Sequence, residues 1–174
     1  MNLNFLAILV AALVPMVMGF IWYNPKVLGN AWMQASGLTE EKMKGANMAI
    51  IFGVSFILSL MLSFSMQFMV IHQFHITSAF FDYEKQIKDA TTIEGSIYKS
   101  VMDLVGTGHR TFKHGLFHGI IGGFFVALPI LATNSLFERK GFKYIAINVG
   151  YWIITMGIMG GILSAWMYFI NYIT

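Results

Sequence analysis

The sequence contains no cysteine. Disulfides, thiolate metal sites, iron–sulfur clusters and a cysteine nucleophile are therefore excluded. Charge is scarce too: 11% of the 174 residues are Asp, Glu, Lys or Arg, against about 25% in an average soluble domain. No Gly-x-Ser-x-Gly elbow, phosphate loop, dinucleotide fingerprint or His-Glu-x-x-His motif occurs. No basic run or aromatic platform suggests nucleic acid, and the formal charge is only +3. These absences point away from an enzyme and from a nucleic-acid partner. No Lys or Arg precedes the first apolar run, so that run reads as a retained helix, not a cleaved signal peptide.

What the chain does have is apolar surface. Hydrophobic residues make up 57%, with 13 Met and 16 Phe. A soluble domain of this size cannot hide so much in one core. The excess must face lipid, so the lipid bilayer is the first partner. Crossing a hydrocarbon core takes about 20 apolar residues in a helix. Four stretches qualify, at about 3–23, 46–71, 114–134 and 144–170. The expected fold is all-α: one polytopic membrane domain over 1–174, four transmembrane helices in a bundle, with an extramembrane loop at 72–113.

Details within this frame follow from local chemistry. Pro15 and Pro129 fall mid-span and predict kinks. Trp22, Tyr23 and Pro25 close span one, and Val27–Met33 reads as an interfacial segment anchored by Trp32. Thr39, followed by Glu40 and Glu41, is a plausible N-cap from which helix two begins. Ile93–Leu104 reads as a short amphipathic helix ended by Gly106–Gly108, and Trp166, Tyr168 and Tyr172 mark the far interface of span four. Six Lys and Arg lie in the connections after spans one and three, against five in the long loop. The positive-inside rule then places both termini and the 72–113 loop outside.

Three patterns carry candidate function. Small residues recur every fourth position: Gly19 ends such a ridge in span one, Ser59 and Ser63 lie in span two, Gly115, Gly119 and Gly123 in span three, Gly157 and Gly161 in span four. In lipid such ridges supply helix packing through close backbone approach. They serve packing within one chain or an oligomer seam. Histidine forms the second pattern: His72 and His75 end span two, while His114 and His118 begin span three, just after His109. Pairs spaced i,i+3 and i,i+4 share a helix side. Facing one another, two such pairs would ligate a metal ion or a haem iron through imidazole nitrogen. The plainer reading has these rings at the headgroup level or hydrogen-bonded across helices. Third come the intramembrane polar residues Gln67, Asn134 and Asn148, which should face the bundle interior.

Specific strings go further. Gly19-Phe-Ile-Trp-Tyr-Asn-Pro25, Gly29-Asn-Ala-Trp-Met33 and Gly37-Leu-Thr-Glu-Glu41 stand in the first half. Asn134-Ser-Leu-Phe-Glu138, Asn148-Val-Gly-Tyr151 and Met159-Gly160 stand in the second. Together they resemble the small bacterial membrane proteins grouped as domain of unknown function 1761. The resemblance implies four spans in a bacterial cytoplasmic membrane and brings no substrate, cofactor or catalytic residue. Phe81–Lys113 departs from it, being longer than the family's usual second connection.

Three functional readings stand. The first is a non-enzymatic bundle acting by association, as a homo-oligomer or an accessory subunit of a larger membrane complex. The second is a metal- or haem-binding membrane protein using His72, His75, His114 and His118. The third is a small transporter or channel with a path lined by Ser59, Ser63, Gln67, Asn134 and Asn148.

Overall fold

In a computed structural model, which describes residues 3–166, the chain is helical and no strand occurs among the described residues. Four helical stretches are long and apolar enough to cross a membrane: Phe5–Trp22, Met48–Val70, Phe112–Phe137 and Phe142–Ala165. The expected end of span four at Ile170, with Tyr168 and Tyr172, lies outside the described residues.

Helix α1 (Phe5–Trp22) is N-capped by the Asn4 side chain, which accepts from the Ala7 amide at 2.9 Å. It continues through Pro15. A π-helical turn at Pro25–Gly29 and helix α2 (Asn30–Ser36) then form the segment expected at the interface. Gly37 ends α2 with φ +75°, in the left-handed region where only glycine is free of Cβ strain. Helix two departs from expectation. Thr39 caps only the single turn α3 (Glu40–Met43), which stops before Gly45. The long span α4 (Met48–Val70) starts afresh with Asn47, whose side chain accepts from the Ile50 amide at 3.2 Å. A second side-chain cap, placed after a helix-weak glycine, outcompetes continuation.

At Ile71 the backbone turns extended, and α5 (His72–Ala79) sets off in a new direction. Two short 3₁₀ turns lead to α6 (Ile93–Val105), the short helix expected at Ile93–Leu104, capped by the Thr92 side chain. Asp89 braces the entry: its Oδ1 accepts from the amide and hydroxyl of Thr91 at 2.9 and 2.7 Å. These two bonds hold its carboxyl below the usual range.

Span three consists of α7 (Phe112–Gly122), a π-helical stretch at Gly123–Ala127 and α8 (Leu128–Phe137). Pro129 explains this interruption: it cannot donate to the carbonyl four residues back and crowds it, and a π turn accommodates both. α9 (Phe142–Ala165) is the central element and carries eleven buried residues.

Helix α1 runs antiparallel to both α4 and α9, and α7 runs antiparallel to α9. Ser63 Oγ of α4 donates to the Ile8 carbonyl of α1 at 2.9 Å. Trp22 Nε1 and Tyr151 Oη tie α1 to α9 through the carbonyls of Ile147 and Pro15, at 3.0 and 2.7 Å. Where α7 crosses α9, an added Cβ at Gly115 would lie 2.7 Å from the Gly160 carbonyl carbon, and one at Gly119 2.8 Å from Gly157 Cα. One at Gly123 would lie 2.6 Å from Ile153 Cα. The glycine ridge of span three is thus spent inside the chain, backbone against backbone. Met66, Val70, Met159 and Leu163 fill the core beside it. By contrast α4 turns most of its surface outward, with Ile50, Val54, Ile57 and Met61 exposed.

Candidate metal centre

The break at Ile71 and the antiparallel return of span three decide where the histidines meet. His72 is the first residue of α5. Thr111 caps α7 by accepting from the His114 amide, which fixes His114 in the first turn and His118 one turn further on. All three side chains are half-buried. One ligand nitrogen from each of His72, His114 and His118 lies within 4.8 Å of the others. His72 Nε2 and His114 Nε2 are 2.8 Å apart, a hydrogen bond in which one ring is the donor.

His109 adds a fourth ring. It stacks on His114 at 4.8 Å between centroids and stands 6.4 Å from His72. Its backbone has φ +61°, uncommon for a residue with a Cβ. The loop it belongs to is held by Gln73, whose Nε2 donates to the carbonyls of Val105 and Gly108 at 2.7 and 2.9 Å. His75 is different: it sits on an exposed face of α5 outside the group. Asp103, a conceivable orienting carboxylate, is ion-paired with Lys99 instead. The candidate ligands are imidazoles alone.

Geometry suits a small ion. Tetrahedral coordination at a Zn–N distance of about 2.0–2.1 Å needs nitrogens roughly 3.3 Å apart. The triad brackets that spacing, from 2.8 Å between His72 and His114 Nε2 to at most 4.8 Å within the group. A haem fits poorly, because the His72, His114 and His118 rings pack at 4.5–5.0 Å, leaving no slot for a macrocycle between axial ligands.

The local field is less favourable. His72 and His114 sit at helix N-termini, which carry partial positive charge. Arg110 is buried at the same end, its Nε donating to the Ser164 carbonyl at 2.9 Å and its Nη2 reaching the Leu163 carbonyl at 3.5 Å. Its guanidinium caps α9 and neutralises the negative end of that helix. Arg110 is one of the five basic residues counted in the 72–113 loop, and its place directly before the cap of α7 is the only sign of this role in the sequence. A metal here would be held by ligand chemistry against the field, which favours ions with high imidazole affinity.

Other candidate residues scatter. Gln67 is buried, its Nε2 3.5 Å from the Asn4 carbonyl. Asn148, half-buried, accepts from Tyr23 Oη at 3.0 Å and donates to the Tyr144 carbonyl. Asn134 is exposed near the end of α8. Ser63 is sealed in the α1–α4 seam, whereas Ser59 lines a cavity. The five residues of the expected polar path therefore do not line one passage. Gly157 and Gly161 face the side chains of Ile120 and Phe112, and Gly19 lies beside open space, with only Tyr151 Oη within 4 Å of an added Cβ.

No curated protein and no solved structure matches the chain. A family model does, over residues 6–164, nearly the whole length. Its span takes in all four apolar helices and the histidine triad, and the chain belongs to the family described as Protein of unknown function (DUF1761).

Proposed function

We propose that this multi-pass membrane protein binds a divalent transition-metal ion through His72, His114 and His118. The single observation carrying the reading is that three imidazole nitrogens, from two helical segments 42 residues apart in sequence, converge within 4.8 Å. Three protein ligands leave a fourth position for water or for His109, the arrangement that keeps a metal exchangeable or reactive. The setting is the bacterial cytoplasmic membrane, with the 72–113 segment and its histidine end outside, as the balance of basic residues and the family resemblance suggest.

The test is metal content by mass spectrometry of protein purified without chelators, and again after titration with Zn²⁺ and Cu²⁺. Wild type and a His75→Ala variant should bind about one ion per chain. His72→Ala and the His114→Ala, His118→Ala double variant should bind none above background. Equal metal in wild type and the double variant, or none in wild type, would overturn the assignment.

Association is a second reading, favoured by α4: 11% of its most apolar window is buried within the chain. This broad apolar face suits lipid or a second copy. Cysteine cross-linking at Ile57 in native membranes reads the difference, a copy-to-copy product being expected only for an oligomer.

A further inference from the structure

At the end of the bundle opposite the histidines lies a cavity of about 780 Å³, within the range of about 300–1,000 Å³ usual for ligand sites. α1 and α4 form its side walls, α9 its back, and the turn around Asn24 together with Trp32 its outer end. Its deep part is bounded by Pro15, Ser59 and Leu62, halfway along the spans. Among the wall residues Phe20, Ile51 and Leu58 are accessible, and Phe20 of α1 packs on Phe52 of α4 at 5.5 Å between centroids. A mouth between α1 and α4 would open onto hydrocarbon.

The walls are mostly apolar, broken by the hydroxyls of Ser55 and Ser59 and by Tyr151, whose Oη donates to the Pro15 carbonyl. The outer end carries Tyr23 and Trp32, residue types that mark a headgroup level. Trp32 lines that end, and its indole Nε1 is buried with no acceptor among the described residues. Away from water, an unsatisfied donor is costly unless an occupant supplies an oxygen. Lys26, exposed two residues beyond Asn24, makes no ion pair among the described residues. The connections at this end carry six Lys and Arg against three acids.

We infer that the cavity is a binding site for a membrane glycerophospholipid. One acyl chain enters between α1 and α4, an ester carbonyl oxygen accepts from Trp32 Nε1, and the headgroup phosphate lies near Lys26. A water-soluble ligand would have to enter hydrocarbon to reach such a mouth, whereas a lipid is already there. An apolar void of this size would forfeit contacts along both walls, and an acyl chain restores them.

Gly19 provides the test. It lines the cavity, and an added Cβ there meets only Tyr151 Oη, at 3.9 Å. Gly19→Leu should plug the space with little strain on the backbone. Gly53→Leu is the control: Gly53 is exposed on α4 and an added Cβ meets nothing within 4 Å. Protein washed in a detergent that strips annular lipid is examined by native mass spectrometry, then delipidated and titrated with phosphatidylglycerol. Wild type and Gly53→Leu should each hold one phospholipid per chain. Gly19→Leu should lower occupancy at least tenfold. Trp32→Phe, which keeps the apolar shape and removes the donor, should lower it several-fold at unchanged melting temperature. If Gly19→Leu fails to fold, Trp32→Phe decides. The inference is overturned by a wild type that binds no phospholipid, by variants that bind as wild type does, or by a second copy of the chain seated in its place.

Discussion

Replacing Gly119 with alanine should destabilise the bundle, although alanine is the better helix former. On helix propensity alone the change would stabilise by about 0.5–1 kcal/mol. The structure opposes it. A Cβ at Gly119 would collide with the Met156 carbonyl oxygen and lie 2.7 Å from its carbon. Every one of these contacts is backbone of α9, so no side chain can swing aside. Relief requires α7 to move off α9, and Gly115 and Gly123 on the same face would lose their contacts with Gly160 and Ile153 in step. Overpacking of this kind costs about 1–3 kcal/mol or more, and a gap of about 0.5–1 Å along the seam forfeits a quarter to a half of each dispersion contact. The net expectation is a loss of about 1–2 kcal/mol. Gly53→Ala, on an open face of α4, should be neutral or slightly stabilising. Thermal unfolding of the two variants in one mild detergent compares opposite signs for the same chemical change. A Gly119→Ala protein melting at or above wild type would refute the backbone-contact reasoning.

Further expectations follow from other contacts. Cysteine introduced at Glu94 should label with an impermeant reagent in intact spheroplasts, and one at Lys140 should not; the reverse result would invert the proposed orientation. Ser63→Ala removes the hydroxyl bonded to the Ile8 carbonyl, and the melting point in detergent should register a loss of about 0.6 kcal/mol, the usual worth of such a bond in a membrane bundle. Arg110→Lys keeps the charge but cannot span the carbonyls of Leu163 and Ser164 as a planar fork does. Hydrogen exchange at the C-terminal turn of α9 should therefore speed up. Asp89 titrates below its ordinary value because Thr91 bonds the charged form. Its contribution to the start of α6 is present above the ordinary carboxylate pKa and lost as pH falls through the lowered one. Amide exchange at Thr91 should rise on acidification, and an Asp89→Asn variant should show a weaker pH response.

The sequence by itself determined the class of this protein and most of its elements. An 11% charge content and four apolar runs leave no architecture but a membrane helix bundle, because hydropathy acts locally and one-dimensionally. Pro129 in span three was legible for the same reason: a proline acts on its own few residues. The double start of helix two was harder to read, since Thr39 and Asn47 are both good caps and local chemistry does not rank them. The histidines were visible as two pairs, but which of them converge was not. Helical spacing made His75 as eligible as His72. The break at Ile71, the antiparallel return of α7 beside α9 and the turn held by Gln73 brought His72, His114 and His118 together and left His75 outside. Gly19 read as one more packing glycine, because a ridge in sequence does not say what stands opposite. Only the tertiary arrangement places Gly119 against backbone and Gly19 against open space, since proximity between helices depends on crossing points that no single helix encodes.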